Sequence, residues 1–178
     1  MNKFLLVASD VHSSSEVFER LCALASSEDC LAFLYAGDLE AEDYFIQDCL
    51  RKRNFTFLPV RGNCDIPYEW TDTGVPFPPV IRTCTFGGLD IWMSHGHVYA
   101  EPDNVEDYDL VITGHTHKNS ILKVGNTVFL NPGSAARPRG RSSASYAVVE
   151  FTPSLALVST RVLDSALVIE QCEIRINK

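Results

Sequence analysis

The chain has 178 residues, 46% of them hydrophobic, and a formal net charge of −8. That length is expected to form one domain, residues 1–178, with its own hydrophobic core. The acidic balance argues against a long nucleic-acid backbone as partner, because phosphate-tracking surfaces are basic, and no apolar stretch reaches membrane-spanning length. Six cysteines show no C-x-x-C pair, which fits reduced thiols in a cytoplasmic protein. The first apolar run is too short for a signal peptide.

In chain order, Phe4-Leu5-Leu6-Val7-Ala8 reads as a buried strand ending at Ser9-Asp10. Ser13-x-x-Glu16 reads as a capping box for a helix carrying Val17, Phe18, Leu21, Leu24 and Ala25 on one face. A second apolar run, Leu31 to Ala36, stops at Gly37-Asp38. A second helix is expected over about 40–52, with Tyr44, Phe45 and Leu50 on its inner side. A third run, Phe55 to Val60, stops at Gly62-Asn63. This βαβαβ pattern implies parallel strands.

Beyond a proline-rich loop at 74–79 the pattern changes to strands. They are expected near 80–86, 89–94, 110–113, 120–124, 127–130, 146–151 and 155–162. Turn signals such as Gly87-Gly88 and Gly125-Asn126 separate them. The last run, 167–176, fits a strand or a helix.

The chemistry-bearing residues stand where strands run out. All five histidines fall in three motifs: Asp10-Val11-His12, His95-Gly96-His97 and Gly114-His115-Thr116-His117. Gly37-Asp38 and Gly62-Asn63-Cys64-Asp65 lie between them. Imidazole and carboxylate are what Zn, Mn, Fe or Ni prefers. Ligands in open α/β sheets bind at the carboxyl ends of strands. Asp10 and His12, two apart in an extended chain, are expected on one face, and His115 and His117 likewise. Asp38 is the central carboxylate, able to bridge two cations through its two oxygens. Asn63 offers a neutral carbonyl oxygen. Any one motif alone reads more readily as an ordinary turn or surface pair; the ordered set of five reads as a two-metal site.

This ordered set resembles the calcineurin-like metallophosphoesterase superfamily, over residues 4 to about 150. Gly62-Asn63-Cys64-Asp65 and Asn131-Pro132-Gly133-Ser134 resemble the small bacterial and archaeal phosphodiesterases of the YfcE type. The resemblance implies a four-layer α-β-β-α sandwich, two mixed sheets packed face to face with helices outside. It implies two divalent cations, Mn as first choice and Ni, Fe or Zn as the others. Asp10, His12, Asp38 and His117 would hold the first; Asp38, Asn63, His95 and His115 the second. A shared hydroxide would attack the phosphorus of a small phosphodiester. Asp65 would orient Asn63 or a neighbouring backbone group. His97 would line the site near the first metal or only pack. A homodimer or tetramer is implied by the resemblance alone.

Cys64 stands where the wider superfamily often has a histidine that protonates the leaving oxygen. A thiol does this poorly. Arg137, Arg139 and Arg141 read equally as contacts to a substrate phosphate or as a basic surface loop. Tyr68 and Trp70 read first as loop cover and second as a stacking platform. The competing functions are a phosphomonoesterase on the same site and a protein-binding scaffold like the retromer subunit of this fold.

Overall fold

The computed structural model describes residues 2–176. Its elements are β1 (Phe4–Ala8), α1 (Ser15–Ala25), β2 (Cys30–Tyr35), α2 (Tyr44–Lys52), β3 (Phe57–Pro59), β4 (Ile81–Phe86), β5 (Leu89–Ser94), β6 (Leu110–Ile112), β7 (Asn119–Val124), β8 (Thr127–Pro132), β9 (Ser145–Phe151), β10 (Leu155–Val162) and β11 (Val168–Arg175). One sheet runs β11-β10-β9-β1-β2-β3, with β1, β2 and β3 mutually parallel. The other runs β4-β5-β6-β8-β7, with β5, β6 and β8 parallel. The last run is therefore a strand, paired antiparallel to β10.

Strand alternation splits the core in two. Leu5 and Val7 of β1, with Ala32 and Leu34 of β2, face Ile91, Met93, Leu110, Ile112, Val128 and Leu130 of the second sheet. Leu6, Ala8, Phe33 and Tyr35 point the other way, onto the helices. There α1 buries Phe18, Leu21, Cys22 and Ala25, a spacing of three and four that makes one helical stripe. Phe18, Phe33, Tyr35 and Phe57 form an aromatic cluster, the closest ring centroids being 5.3 Å apart. Losing one such ring, as in Phe18→Ala, costs about 3–5 kcal/mol in a packed core.

Two mixed sheets packed face to face match the expected architecture. The layer outside the second sheet is thin. Between β5 and β6 the chain makes only a short 3-10 turn, Val105–Asp107. Three local expectations fail for physical reasons. Ser13 is not part of a capping box: its φ is 59° and its hydroxyl donates to the Glu40 carbonyl, while Ser14 precedes α1. The second helix starts later than expected, at Tyr44, because Asp43 caps it by accepting from the Phe45 and Ile46 N–H groups. That register buries Ile46 and Leu50 and leaves Tyr44 and Phe45 exposed. Trp70 packs in the helix-side core and is no platform for a substrate, whereas Tyr68 is exposed. No helix among the described residues is long and apolar enough to cross a membrane.

Parallel strands put their carboxyl ends at one edge. β1, β2, β3, β5 and β6 all deliver a motif there, from both sheets.

Candidate metal centre

The backbone at this edge is not extended. Asp10, His12, Ser13, Asp38, Glu40, His115 and His117 all have φ between 48° and 65°. Outside the site only Ala166 among the described non-glycine residues does so. Left-handed backbone is disfavoured for these residue types and persists where the surroundings over-determine it. So the expected route to convergence, side chains two apart on an extended strand, is corrected: a run of tight turns does the work. Two glycines let the turns approach. A Cβ on Gly62 would stand 1.9 Å from Asp38 Oδ1, and one on Gly114 2.0 Å from Ser9 Oγ.

The inner cluster is Asp10, His12, Asp38, His95 and His117, all buried. His12 Nε2 lies 3.2 Å from His117 Nε2, which lies 3.3 Å from Asp10 Oδ1. His95 Nε2 lies 3.2 Å from Asp38 Oδ2, and His12 Nε2 is 3.9 Å from the same oxygen. Asp38 Oδ1 is turned away and accepts the Cys64 N–H at 2.8 Å. A shared cation contact would therefore run through Oδ2 rather than through both oxygens. Asp10 Oδ1 also sits between the two halves, 4.0 Å from His95 Nε2.

Each buried imidazole has its Nδ1 against an acceptor and its Nε2 turned inward. His95 Nδ1 donates to the Ala36 carbonyl at 2.7 Å and His117 Nδ1 to the Arg137 carbonyl at 2.6 Å. His12 Nδ1 donates to the Glu40 carboxylate. An outward acceptor fixes the tautomer and leaves Nε2 as a lone-pair donor to a metal. Asp10 Oδ1 and His95 Nε2 are buried without any hydrogen-bond partner. Orphaned buried polar atoms are costly, and a cation between them would satisfy both. The residues present fit divalent cations by that test and by donor type.

The charges agree. Burial raises the Asp10 carboxyl above the usual carboxylate range, although the Ser9 hydroxyl and His95 pull it down. Burial also pushes Asp38 up, but His95 and the Cys64 N–H outweigh it and hold the group at about 2. Burial would lower His95, yet the Asp38 carboxylate wins and raises it. Cys64 is pushed up to about 12 by burial and then by Asp38 and Glu40.

The rim differs. Asn63, His97 and His115 are exposed. His115 sits 5.1 Å from His95 between ring centroids, on the expected second-metal side. Asn63 turns its amide N–H to Cys64 Sγ at 3.2 Å. His97 has its ring 5.3 Å from His95 and 6.2 Å from His115, so it flanks the second half of the site rather than the first.

Of the two roles expected for Asp65, the structure shows the backbone one: its oxygens accept from the N–H groups of Asp38, Leu39, Glu40 and Gly62 at 2.7–3.0 Å, and not from the Asn63 side chain. Burial raises its carboxyl, against the pull of the Gly62, Glu40 and Asp38 N–H groups. Other supports escape sequence reading. Tyr35 OH accepts from Val11 N–H and donates to the Asp38 carbonyl. Asn131 ties down the Gly114 carbonyl at 2.7 Å, and Ser134 donates to the Asp10 carbonyl at 2.7 Å. Glu40, two residues after Asp38, had only that proximity as a signal.

A buried set of carboxylates and imidazoles, built on turns at the carboxyl ends of two packed sheets, is the donor set of a divalent-cation centre. The chain belongs to the calcineurin-like phosphoesterase superfamily, whose domain description matches residues 4–154. It is similar to the phosphodiesterase YfcE of Escherichia coli K12, at 26% identity over 160 residues, covering 82% of this chain and 86% of that protein. The solved structure of that E. coli phosphoesterase superposes with a TM-score of 0.81 at 24% identity, covering 98% of this chain and all of the other. Vps29 of Entamoeba histolytica, solved in complex with zinc, has the same fold, with a TM-score of 0.68 at 22% identity over 98% of this chain and 99% of its own.

Proposed function

We propose that this phosphoesterase-family chain is a phosphodiesterase working with two divalent cations on a small diester. The observation that carries the reading is the pair of buried, partnerless atoms, Asp10 Oδ1 and His95 Nε2, with Asp38 Oδ2 between the two halves. Asp10, His12, Asp38 and His117 would hold the first cation; Asp38, Asn63, His95 and His115 the second. Bound there, the cations would supply Lewis-acid charge to the phosphoryl oxygens and activate water. The chain's own part is positional. Outward Nδ1 hydrogen bonds aim three imidazoles inward, Asp65 holds the Asp38 turn, and the strained turns are locked before substrate arrives. His97 stands at the rim as a candidate contact to substrate oxygen.

By the resemblance, Cys64 stands where a proton donor to the leaving group would sit. A thiol held at about 12 is a weak proton donor at neutral pH. The preferred substrates are therefore diesters whose leaving group departs unaided. Mn is the first cation to test, then Ni, Fe and Zn. A homodimer or tetramer is the expectation of the resemblance, and a cytoplasmic location that of the unpaired cysteines.

The scaffold reading draws support from the shared fold with Vps29. The monoesterase reading uses the same residues. One assay separates all three: bis(4-nitrophenyl) phosphate and 4-nitrophenyl phosphate, each with and without Mn. A diesterase releases nitrophenol faster from the first and only with metal. Preference for the second makes it a monoesterase, and metal-independent silence on both favours the scaffold.

A further inference from the structure

The strap that follows β8 does more than hold the metal site. His117 Nδ1 donates to the Arg137 carbonyl, Arg139 N–H donates to the His117 carbonyl at 3.2 Å, and the Arg137 guanidinium donates to the His12 carbonyl at 3.2 Å. Continuous with this strap is a cavity of about 460 Å³, lined by Lys118, Arg139, Arg141, Ser142, Ser143 and Glu170 among others. It begins one residue from the buried His117.

The cavity is cationic in an acidic protein. Lys118, Arg139 and Arg141 have no carboxylate within ion-pair distance among the described residues. Lys3, Arg20, Arg51, Lys52 and Arg161, by contrast, each sit on an acid. Glu170 is the one acid on the described wall, and its carboxylate already accepts the Ile121 N–H at 2.8 Å. Gly140 turns at φ 69° between the two arginines, and the Lys118 stem lies 3.7 Å from where its Cβ would stand, which brings all three cations to one hollow. Three unpaired cations with two hydroxyls are the donor set of a phosphate site.

We infer that this cavity is a subsite for a second phosphoryl group, so that the substrate is a phosphodiester carrying a further phosphomonoester. The inference rests on the diesterase reading for the scissile group and adds a neighbour to it. The metal centre would take the diester, and Lys118, Arg139 and Arg141 the terminal phosphate beside it. A net charge of −8 would otherwise repel so anionic a molecule. The local cations reverse that over one wall.

The test uses the 178-residue chain and two pairs of probes. Thymidine 5′-(4-nitrophenyl phosphate) is compared, in Mn, with the same ester bearing a 3′-phosphate. Thymidine 5′-monophosphate is compared by calorimetry with thymidine 3′,5′-bisphosphate. In the wild type the 3′-phosphate is expected to lower KM and Kd by about tenfold, the scale of one or two charge-assisted hydrogen bonds. In Lys118→Ala/Arg139→Ala/Arg141→Ala both ratios fall to about one, and high salt lowers the wild-type ratio. Because each result is a ratio within one protein, partial loss of fold cannot imitate it; Arg139→Gln/Arg141→Gln provides a milder variant. Equal binding of mono- and bisphosphate by the wild type, or a ratio that survives in the variants, overturns the subsite. Failure to hydrolyse either ester while the calorimetric ratio holds would remove the diesterase reading and leave the subsite standing.

Discussion

The inner and outer halves of the site are built on different principles. Asp10, His12, Asp38, His95 and His117 are buried, and every outward-facing nitrogen of the three imidazoles is tied to an acceptor. Asn63, His97 and His115 are exposed and carry no such anchors among their described side-chain hydrogen bonds, apart from Asn63 on Cys64. The inner half is organised before any ligand arrives, which is where electrostatic stabilisation is most effective. The rim is free to adapt, and in the proposed function it is the part that meets the leaving group.

Replacing the shared carboxylate should break the inner half most severely. Asp38→Ala is expected to lose about a thousandfold or more in kcat/KM, the scale of removing a key electrostatic contact. It should lose more than Asp10→Ala or His117→Ala. Asp10 Oδ1 is also placed between the halves, so the same three-variant comparison asks which carboxylate is shared. If Asp38→Ala kept half the wild-type rate and Asp10→Ala did not, the roles would be exchanged.

The rim is sharpened by Cys64→His. With a thiol held at about 12, rates should fall steeply as leaving-group pKa rises. An imidazolium at position 64 supplies a proton, an effect worth about 10²–10⁴-fold when geometry is right. The expected result is a shallower dependence, with the gain confined to alkyl and nucleotide esters. A flat wild-type dependence would remove proton supply as the limit on this enzyme.

Glu40 tests whether outward anchoring matters. Glu40→Gln keeps an acceptor for His12 Nδ1 and should be mild; Glu40→Ala removes it. Loss of such a support lowers metal affinity by about 10–100-fold. Direct titration of Mn, independent of turnover, reads this. Equal affinity in wild type and both variants would reduce Glu40 to a surface acid.

The smallest effect is expected from Cys64→Ala. A thiol that stays neutral to beyond pH 9 contributes no ionisation to the pH–rate profile, so wild type and variant should share its shape between pH 6 and 9. A limb near pH 8 present only in the wild type would show a thiolate.

Much of this was legible in the sequence because the motif residues follow strands, and parallel strands must deliver their ends to one edge. Even the broken expectation about Asp10 and His12 reached the right place by the wrong route, since turns rather than extended chain bring them together. What stayed hidden was whatever depended on contacts distant in sequence. Glu40 meets His12 across 28 residues and Ser134 meets Asp10 across 124. No spacing rule reports such pairs. The start of α2 was missed for a local reason: Asp43 is a capping residue, and the apolar Tyr44 and Phe45 beside it suggested an inner face they do not occupy.

The central claim is that two cations share this centre. Elemental analysis of the Mn-loaded chain, with anomalous scattering from its crystals, tests it most directly. The account predicts two ions per chain, one against Asp10, His12 and His117, the other against His95, with an aspartate oxygen common to both. Crystals grown in excess Mn with no ion beside Asp38 would contradict it.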